Sequence, residues 1–158
     1  MIAAEWKTAP SGLAWAFGGV VFDEQGRVLL RKPRKEFDGV SWTFGKGRPD
    51  AADEPPEAVA LREAREEYGI PCRVIAPLPG TYAGGTTENV YFLMQSDQTG
   101  AEPTLVEWAK YLYETEAVRW ASPDEARQLI SQTRNLAARQ RDLAVLAKAL
   151  EEYERVKM

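Results

Sequence analysis

The stretch GRPDAADEPPEAVALREAREEYGI, residues 47–70, decides how this chain is organised. Pro55 and Pro56 can occupy the first turn of a helix, because the N–H groups that they lack would be unpaired there. Gly69 can adopt the left-handed conformation that ends a helix, and Pro71 prevents its continuation. The spacing therefore predicts one helix between these prolines and Gly69.

The predicted helix has an acidic face and an apolar face. At about 100° per residue, Glu63, Glu66 and Glu67 fall on one arc. The opposite arc, suited to packing against a core, consists of Ala58, Leu61, Ala64 and Tyr68. Like charges three and four residues apart repel by roughly 0.2–0.5 kcal/mol per pair, so the crowded carboxylates indicate a bound cation. The alternative is a solvated face with i,i+4 ion pairs, such as Arg62 with Glu66.

Length and charge bound the classes of function. A chain of 158 residues fits one domain that buries about two-thirds of its unfolded surface. The net charge of −4 argues against binding to a nucleic-acid polymer. The longest apolar run, residues 13–22, has about half the length of a membrane span, so no membrane is expected as a partner. Since the N-terminus shows no secretory signal, a cytoplasmic location is expected.

Histidine is absent from the chain. This excludes nucleophilic sites built on Ser–His or Cys–His pairs and the usual zinc ligand sets. A metal here must be held by oxygen, which favours magnesium, manganese or calcium. The single cysteine, Cys72, cannot form an internal disulfide and is interpreted as a structural thiol in a reducing compartment.

Strand signals surround the central helix. They fall at residues 13–22, 27–32, 41–44, 72–77, 80–83, 90–95 and 117–121. Residues 1–12 are expected to be an irregular lead-in, residues 45–49 a flexible cationic loop, and residues 105–113 show no clear period. The fold class is therefore α/β: a single domain, residues 1–158, with a mixed sheet and helices on both faces.

Two more helices are expected near the C-terminus. Ser122 and Pro123 begin the first, with serine as the cap. The second covers residues 135–156, and its apolar stripe comprises Leu136, Leu143, Leu146, Ala147, Leu150 and Tyr153. This helix is expected to pack on the domain, and a homodimer formed through it is the alternative.

The stretch at residues 47–70 resembles the Nudix box of the Nudix hydrolase family. The pattern of that box is G-x5-E-x7-R-E-U-x-E-E-x-G-U, in which U is apolar. Every fixed position from Glu54 to Ile70 matches, with Ala64 as a small apolar residue. One departure is visible, because six residues rather than five separate Gly47 from Glu54. Residues 119–126 also resemble the strand and helix that commonly close such domains.

The resemblance implies an α/β/α sandwich that hydrolyses a nucleoside diphosphate linked to another moiety. It implies Mg²⁺ as the cofactor, with Mn²⁺ as an alternative. Glu66 and Glu67 would be the firmest metal ligands and Glu63 a further ligand or base. A backbone carbonyl of Lys46 or Gly47 would complete the shell.

Three further residues acquire roles from the resemblance. Arg62 would orient the carboxylates, through Glu66 one turn on, and Glu54 would be structural. A loop glutamate, Glu114 or its neighbour Glu116, would complete the metal or base set. A plain surface charge at the start of a strand is an equal alternative for either glutamate.

Substrate contacts are expected just before the helix. Six basic residues there could hold outer phosphates, namely Arg31, Lys32, Arg34, Lys35, Lys46 and Arg48. Lys46 and Arg48 are favoured because they lie on the loop that enters the helix. Trp42, Phe44 and Tyr82 could stack on a base, although aromatic residues in strands are more often core.

The substrate class stays open among several small phosphorylated nucleotides. Residues 45–47, Gly-Lys-Gly, resemble the Pro-Lys-Gly of relatives that cleave dinucleoside or diphosphoinositol polyphosphates, which favours a phosphate-rich substrate. Oxidised nucleoside triphosphates, ADP-ribose and nucleotide sugars are the alternatives. A non-catalytic nucleotide-sensing domain is the alternative of a different class, but the intact set of box carboxylates favours an enzyme. No P-loop motif occurs.

Overall fold

The computed structural model describes residues 8–51, 53–96 and 114–157. Its strands are β1 (Ala14–Phe22), β2 (Val28–Pro33), β3 (Lys46–Gly47), β4 (Cys72–Pro77), β5 (Tyr82–Gly84), β6 (Thr87–Ser96) and β7 (Thr115–Ala121). The helices are α1 (Pro56–Tyr68), α2 (Pro123–Ile130) and α3 (Leu136–Lys157), and a 3-10 segment covers Arg34–Gly39. The seven strands form one sheet in the order β4-β6-β1-β2-β7, with β3 beside β1 and β5 beside β6.

The sheet is mixed because β1 and β6 pair in parallel while the other pairs are antiparallel. The parallel register aligns Ala14 with Thr87 and Phe22 with Gln95. Side chains alternate between the two faces of β1. Phe17 and Val21 therefore join one core and Val20 the other.

Each face of the sheet carries helices. The core on one face includes Val59, Ala60, Ala64 and Tyr68 of α1. The core on the other face includes Ala126 and Ile130 of α2 and Val145, Leu146 and Ala149 of α3. This layering confirms the predicted mixed-sheet α/β/α sandwich. No helix of the described residues is long and apolar enough to cross a membrane.

The predicted helix boundaries at the box are confirmed. Helix α1 begins at Pro56 with Pro55 as its cap, and Gly69 ends it at a φ of 74°. Helix α2 begins with a capping box in which Ser122 Oγ accepts from Glu125 N–H and Glu125 Oε1 accepts from Ser122 N–H.

The predictions for the faces of the helices were partly wrong. On α1, Ala58 is exposed, whereas Glu63 and Glu67 are buried, because β3 covers the acidic side of the helix. On α3, Leu136 is 54 % exposed and Ala147 is exposed. Leu146 is buried as predicted, and Leu143, Leu150 and Tyr153 pack against the core. The other buried residues of α3 were not predicted: Ala138, Arg141, Asp142, Val145 and Ala149.

Two predictions for the segment before α1 were also wrong. Residues 41–44 form no strand, and only Thr43 pairs, as an isolated bridge to Arg31. The loop predicted at residues 45–49 contains β3, which pairs Lys46 and Gly47 with β1. The unassigned residues 105–113 lie outside the part of the chain that the structure describes.

Candidate active site

Two glycines next to Lys46 approach two carboxylates of α1. An ideal Cβ added to Gly47 would lie 2.1 Å from Oε2 of Glu63, and one added to Gly45 would lie 3.1 Å from Oε1 of Glu67. Gly45 and Gly47 are two residues apart, about 6.6 Å in an extended chain, and Glu63 and Glu67 are four residues apart, about 6 Å along a helix. The spacing of the two glycines therefore matches that of the two carboxylates. The Gly-Lys-Gly sequence therefore lets an extended segment lie directly against the acidic side of the helix.

Glu67 is held from two sides. Its Oε1 accepts a hydrogen bond of 2.7 Å from Lys46 N–H, and its Oε2 lies 3.7 Å from Nη1 of Arg31. The residue is 5 % exposed. Burial raises the pKa of Glu67, while the charge of Arg31 opposes this shift and the charge of Glu114 adds to it.

Tyr68 ties the glycine segment to the sheet. Its hydroxyl accepts a hydrogen bond of 2.6 Å from Gly45 N–H and donates one of 3.0 Å to the carbonyl of Gly19. Sequence reasoning assigned Tyr68 to the core alone, and its ring does lie there. The hydroxyl adds a second task, because it fixes the segment that packs on Glu67.

Arg62 forms hydrogen bonds with the other carboxylates of the box. Its Nε and Nη2 bind Glu54 in a bidentate pair of 2.8 and 3.0 Å. Its Nη1 lies 2.9 Å from Oε2 of Glu63 and 3.4 Å from Oε2 of Glu66. The hydrogen bond to Glu54 is the main reason that the pKa of Arg62 is raised. The pairing expected with Glu66 thus exists, but the bond to Glu54 is the shorter one.

The extra residue before Glu54 is taken up within the loop. Glu54 Oε1 accepts from Asp50 N–H at 2.9 Å, and Glu54 N–H donates to the carbonyl of Ala51 at 3.1 Å. The carbonyl of Arg48 accepts from Nη2 of Arg62 at 3.1 Å. These bonds anchor both ends of the loop, so Gly47 keeps its contact with Glu63 despite the insertion.

The carboxylates suit a divalent cation in chemistry, although the described residues contain no group of three or more acidic or cysteine side chains arranged as a metal site. Glu63 and Glu66 converge on one cationic nitrogen of Arg62. That convergence shows that two carboxylate oxygens can surround one positive centre. Oxygen donors without histidine or thiolate are the set that hard cations such as Mg²⁺ prefer.

A cavity of about 710 Å³ opens beside Glu67. It is bounded by β2, the 3-10 segment, the turn between β5 and β6, and α3. Its basic residues are Arg31, Arg34, Lys35, Lys46 and Arg141, and its acidic residues are Asp38, Glu67 and Glu114. Burial lowers the pKa of Lys46, and the charge of Arg141 lowers it further. The lining therefore carries more cationic than anionic groups.

The structure brings seven of the predicted residues to this cavity: Arg31, Arg34, Lys35, Phe44, Lys46, Glu67 and Glu114. The ring of Phe44 is almost fully buried and packs edge-to-face on Tyr91.

Four other predicted substrate contacts do not line the cavity, namely Lys32, Trp42, Arg48 and Tyr82. Arg48 is exposed outside it, and Trp42 packs against Arg119 with 5.9 Å between the guanidinium carbon and the ring centroid. Tyr82 packs on Tyr91 and donates to the carbonyl of Pro79. A stacking role for Trp42 or Tyr82 is not supported by these positions, because each ring already has a protein partner.

The two downstream glutamates are also separated. Glu114 lines the cavity, and its carbonyl accepts a hydrogen bond of 2.7 Å from Nη2 of Arg31. Glu116 lies outside, with Oε2 3.7 Å from Lys32 and Oε1 3.1 Å from Lys35 N–H. Of the two, only Glu114 is in position to meet a ligand in the cavity.

Sequence reasoning missed a buried polar network on α3. Arg141 donates to Asp142 through Nε at 2.9 Å and Nη2 at 3.2 Å, and Asp142 accepts from Oγ1 of Thr43 at 2.5 Å. The signal was present, since residues 138, 141, 142, 145, 146 and 149 have the i, i+3, i+4 spacing of a buried stripe. Two charged residues inside such a stripe indicate a polar network in the interior.

Comparisons with known proteins agree with this fold. A family model described as the NUDIX domain matches residues 12–144. An Ap4A hydrolase from C. elegans has a similar fold, with a TM-score of 0.63 at 18 % identity over 89 % of this chain and 96 % of that chain. No curated protein matches.

Two further solved structures share the fold. An ADP-ribose pyrophosphatase from Streptococcus suis has a TM-score of 0.58 at 19 % identity over 88 % of this chain and 90 % of that chain. A UDP-X diphosphatase has a TM-score of 0.61 at 13 % identity over 92 % of this chain and 66 % of that chain.

Proposed function

This chain belongs to the Nudix hydrolase family, and we propose that it hydrolyses the pyrophosphate bond of a small nucleotide-type substrate with a divalent cation. The observation that carries the proposal is the grouping of Glu63 and Glu66 around Arg62, with Glu67 one helical turn on and at the cavity. All three carboxylates come from one rigid helix. A fixed carboxylate cluster beside a cationic cavity suits phosphate chemistry.

Glu63, Glu66 and Glu67 would hold the cation, and the carbonyl of Lys46 or Gly47 would be a further ligand. Mg²⁺ is the expected ion, with Mn²⁺ as the alternative. When bound, such an ion neutralises the anionic diphosphate and orients water for attack. The close contact of Gly47 with Glu63 supports this assignment, because it brings the β3 backbone next to the carboxylates.

Arg62 would position the carboxylates. Its bidentate bond to Glu54 fixes the guanidinium, which then directs Oε2 of Glu63 and Oε2 of Glu66 to one point. Glu54 would act through Arg62 and not as a ligand. The distances support these two roles, since the shortest hydrogen bond from Arg62 to a carboxylate is the one to Glu54.

Glu114 is our candidate for the general base, with Glu63 as the competitor inside the box. A base must reach a water beside the bond that is cut. Glu114 is exposed at the cavity and contributes a charge that raises the pKa of Glu67, which supports its proximity to that carboxylate. The ion pair of Glu116 with Lys32 argues against Glu116 in this role.

The substrate is proposed to be a phosphate-rich nucleotide such as a dinucleoside polyphosphate. The excess of cationic groups in the cavity supports this choice. The alternatives are a nucleoside triphosphate of the house-cleaning type, ADP-ribose or a nucleotide sugar. The named neighbours are an Ap4A hydrolase, an ADP-ribose pyrophosphatase and a UDP-X diphosphatase, which differ in substrate but all have names that denote cleavage of a phosphate linkage.

The test is a hydrolysis panel that covers these substrates, run with Mg²⁺, with Mn²⁺ and with EDTA. Products are identified by chromatography, and Glu67→Gln serves as the inactive variant. We expect metal-dependent release of a nucleoside phosphate, with turnover lost in the variant. Tight nucleotide binding without turnover on any substrate would instead favour a non-catalytic sensing domain.

A further inference from the structure

We infer that Lys46 and Arg141 form an anion subsite that takes a phosphate group outside the bond that is cut. Arg141, contributed by the last helix, thereby becomes a substrate-binding residue. The inference rests on the proposed function for the identity of the substrate. Its physical basis is the arrangement of buried charge in the cavity.

Strand alternation turns the side chain of Lys46 away from the point where Arg62 meets Glu63 and Glu66. Gly45 and Gly47 face Glu67 and Glu63 on α1, so the side chain of Lys46 projects to the other face. Helix α3 packs on that other face, and Lys46 and Arg141 both line the cavity there. The two cations therefore lie across β3 from the point where Arg62 gathers its carboxylates.

Arg141 is held in place but keeps one nitrogen available. It is 8 % exposed, and its Nε and Nη2 are bound to Asp142. Nη1 has no hydrogen-bond acceptor among the described residues. Gly84 makes room for the guanidinium, because a Cβ on that glycine would lie 3.1 Å from Nη1 and 2.8 Å from Cδ. The side chain is thus fixed in the wall of the cavity and keeps one donor nitrogen without an acceptor among the described residues.

The cations at the inner end of the cavity differ in whether they have a close carboxylate. Arg31 lies 3.7 Å from Glu67, and Arg141 is paired with Asp142. Lys46 has no carboxylate within ion-pair distance in the part of the chain that the structure describes. The charges of Glu67 and Asp142 act on Lys46 only from beyond that distance, so an anion in the cavity would be its first close partner.

A purely structural role for the α3 network explains only part of these observations. It accounts for the pairing of Arg141 with Asp142 and for the bond from Thr43. It does not account for the unpaired Lys46. An oxyanion in the cavity supplies an acceptor for the ammonium of Lys46 and for Nη1 of Arg141.

This placement defines the class of substrate. The diphosphate that is cut would lie at the box carboxylates, and the subsite would need a further phosphate beyond it. Substrates with three or more phosphates satisfy both positions, whereas a nucleotide sugar or ADP-ribose supplies only the diphosphate. The subsite therefore selects for the longer phosphate chain.

The first test uses inorganic tripolyphosphate as the probe in EDTA, so that binding does not depend on turnover or on the metal. Isothermal titration calorimetry compares the wild type with Lys46→Met, with Arg141→Lys and with the control Lys148→Met. Lys148 lies on α3, as Arg141 does, but outside the cavity. Lys148→Met therefore removes one positive charge, as Lys46→Met does, without changing the cavity. We expect about tenfold or weaker binding for Lys46→Met and Arg141→Lys, and no change for Lys148→Met.

The outcomes separate the inference from the proposed function. Equal affinity of Lys46→Met and the wild type, or an equal loss in Lys148→Met, would overturn the subsite even if the enzyme turns over. Arg141→Lys keeps a charge beside Asp142, and Lys46→Met removes no protein ion pair, so Lys46→Met is informative even if Arg141→Lys fails to fold.

The second test measures kcat/KM for a dinucleoside tetraphosphate and a dinucleoside diphosphate. In Lys46→Met we expect the preference for the tetraphosphate to fall about tenfold, mainly through KM. An unchanged preference would also overturn the subsite. Absence of turnover on both substrates with normal tripolyphosphate binding would count against the proposed function alone.

Discussion

Oε2 of Glu63 occupies the space that a side chain on residue 47 would need, since an ideal Cβ on Gly47 falls 2.1 Å from that oxygen. Gly47 does not have a positive φ. Its requirement for glycine therefore comes from the approach of the carboxylate and not from backbone strain. This contact ties the position of Glu63 to the identity of a residue in the neighbouring strand.

Gly47→Ala should displace the Glu63 carboxylate and lower kcat/KM by about tenfold or more, because small misplacements of catalytic groups are costly. Gly45→Ala is the matched variant, since its Cβ would lie 3.1 Å from Oε1 of Glu67 and needs a smaller shift. We expect a smaller loss there. Steady-state kinetics at saturating metal measures both. Full activity of Gly47→Ala would contradict the proposed role of Glu63.

Arg62→Lys should weaken metal binding and turnover by roughly 10- to 100-fold, the usual range for residues that orient metal ligands. A lysine cannot bind Glu54 through two nitrogens while also reaching Glu63 and Glu66. Arg65→Lys, on the exposed side of the same helix, is the control and should leave both quantities unchanged. A Mg²⁺ titration of activity measures the effect. Parallel behaviour of the two variants would argue against an orienting role for Arg62.

Glu67→Gln should stabilise the protein in metal-free buffer by an amount that grows with pH. Folding raises the pKa of Glu67 above its ordinary value of 4.5. The wild type therefore loses stability as the pH rises from that value to the raised pKa, by about 1.4 kcal/mol for each pH unit between the two. Glutamine does not titrate, so the difference in free energy of unfolding between the variant and the wild type grows over this pH range. Urea unfolding at several pH values measures this difference. A difference that does not change with pH would contradict a raised pKa of Glu67.

Glu114→Gln should reduce kcat by about 10²- to 10⁴-fold if Glu114 is the general base. Glu116→Gln is the matched control, since Glu116 lies two residues on and outside the cavity. We expect near-normal turnover for that control. Near-normal turnover of Glu114→Gln would place the base in the box, with Glu63 as the next candidate.

The helix of the box could be predicted because its signals are local. The prolines that open α1 and the glycine that ends it act through backbone conformation within one or two residues. The spacing of Glu63, Glu66 and Glu67 also follows from helix geometry alone. The match of Gly45 and Gly47 to this spacing needed the structure, because it depends on which strand lies beside the helix.

The cavity could not be predicted because its residues are distant in sequence. Thr43 meets Asp142 across 99 positions, and no local pattern joins them. Charged neighbours such as Arg141 and Asp142 are usually exposed, so the choice of apolar stripe favoured the leucines of α3. The packing partners of Trp42 and Tyr82 could not be predicted for a related reason, since they also lie elsewhere in the chain.

The parallel pairing of β1 with β6 bears on how the protein folds. It joins Ala14 to Thr87, and the whole of α1 lies within the loop that this pairing closes. Closing a loop of that length is unfavourable in entropy, and contacts between distant residues slow folding. The central strand β1 therefore gains its parallel partner late. On the ribosome, the sheet cannot close along β1 until β6 has emerged, whatever the helical propensity of the box.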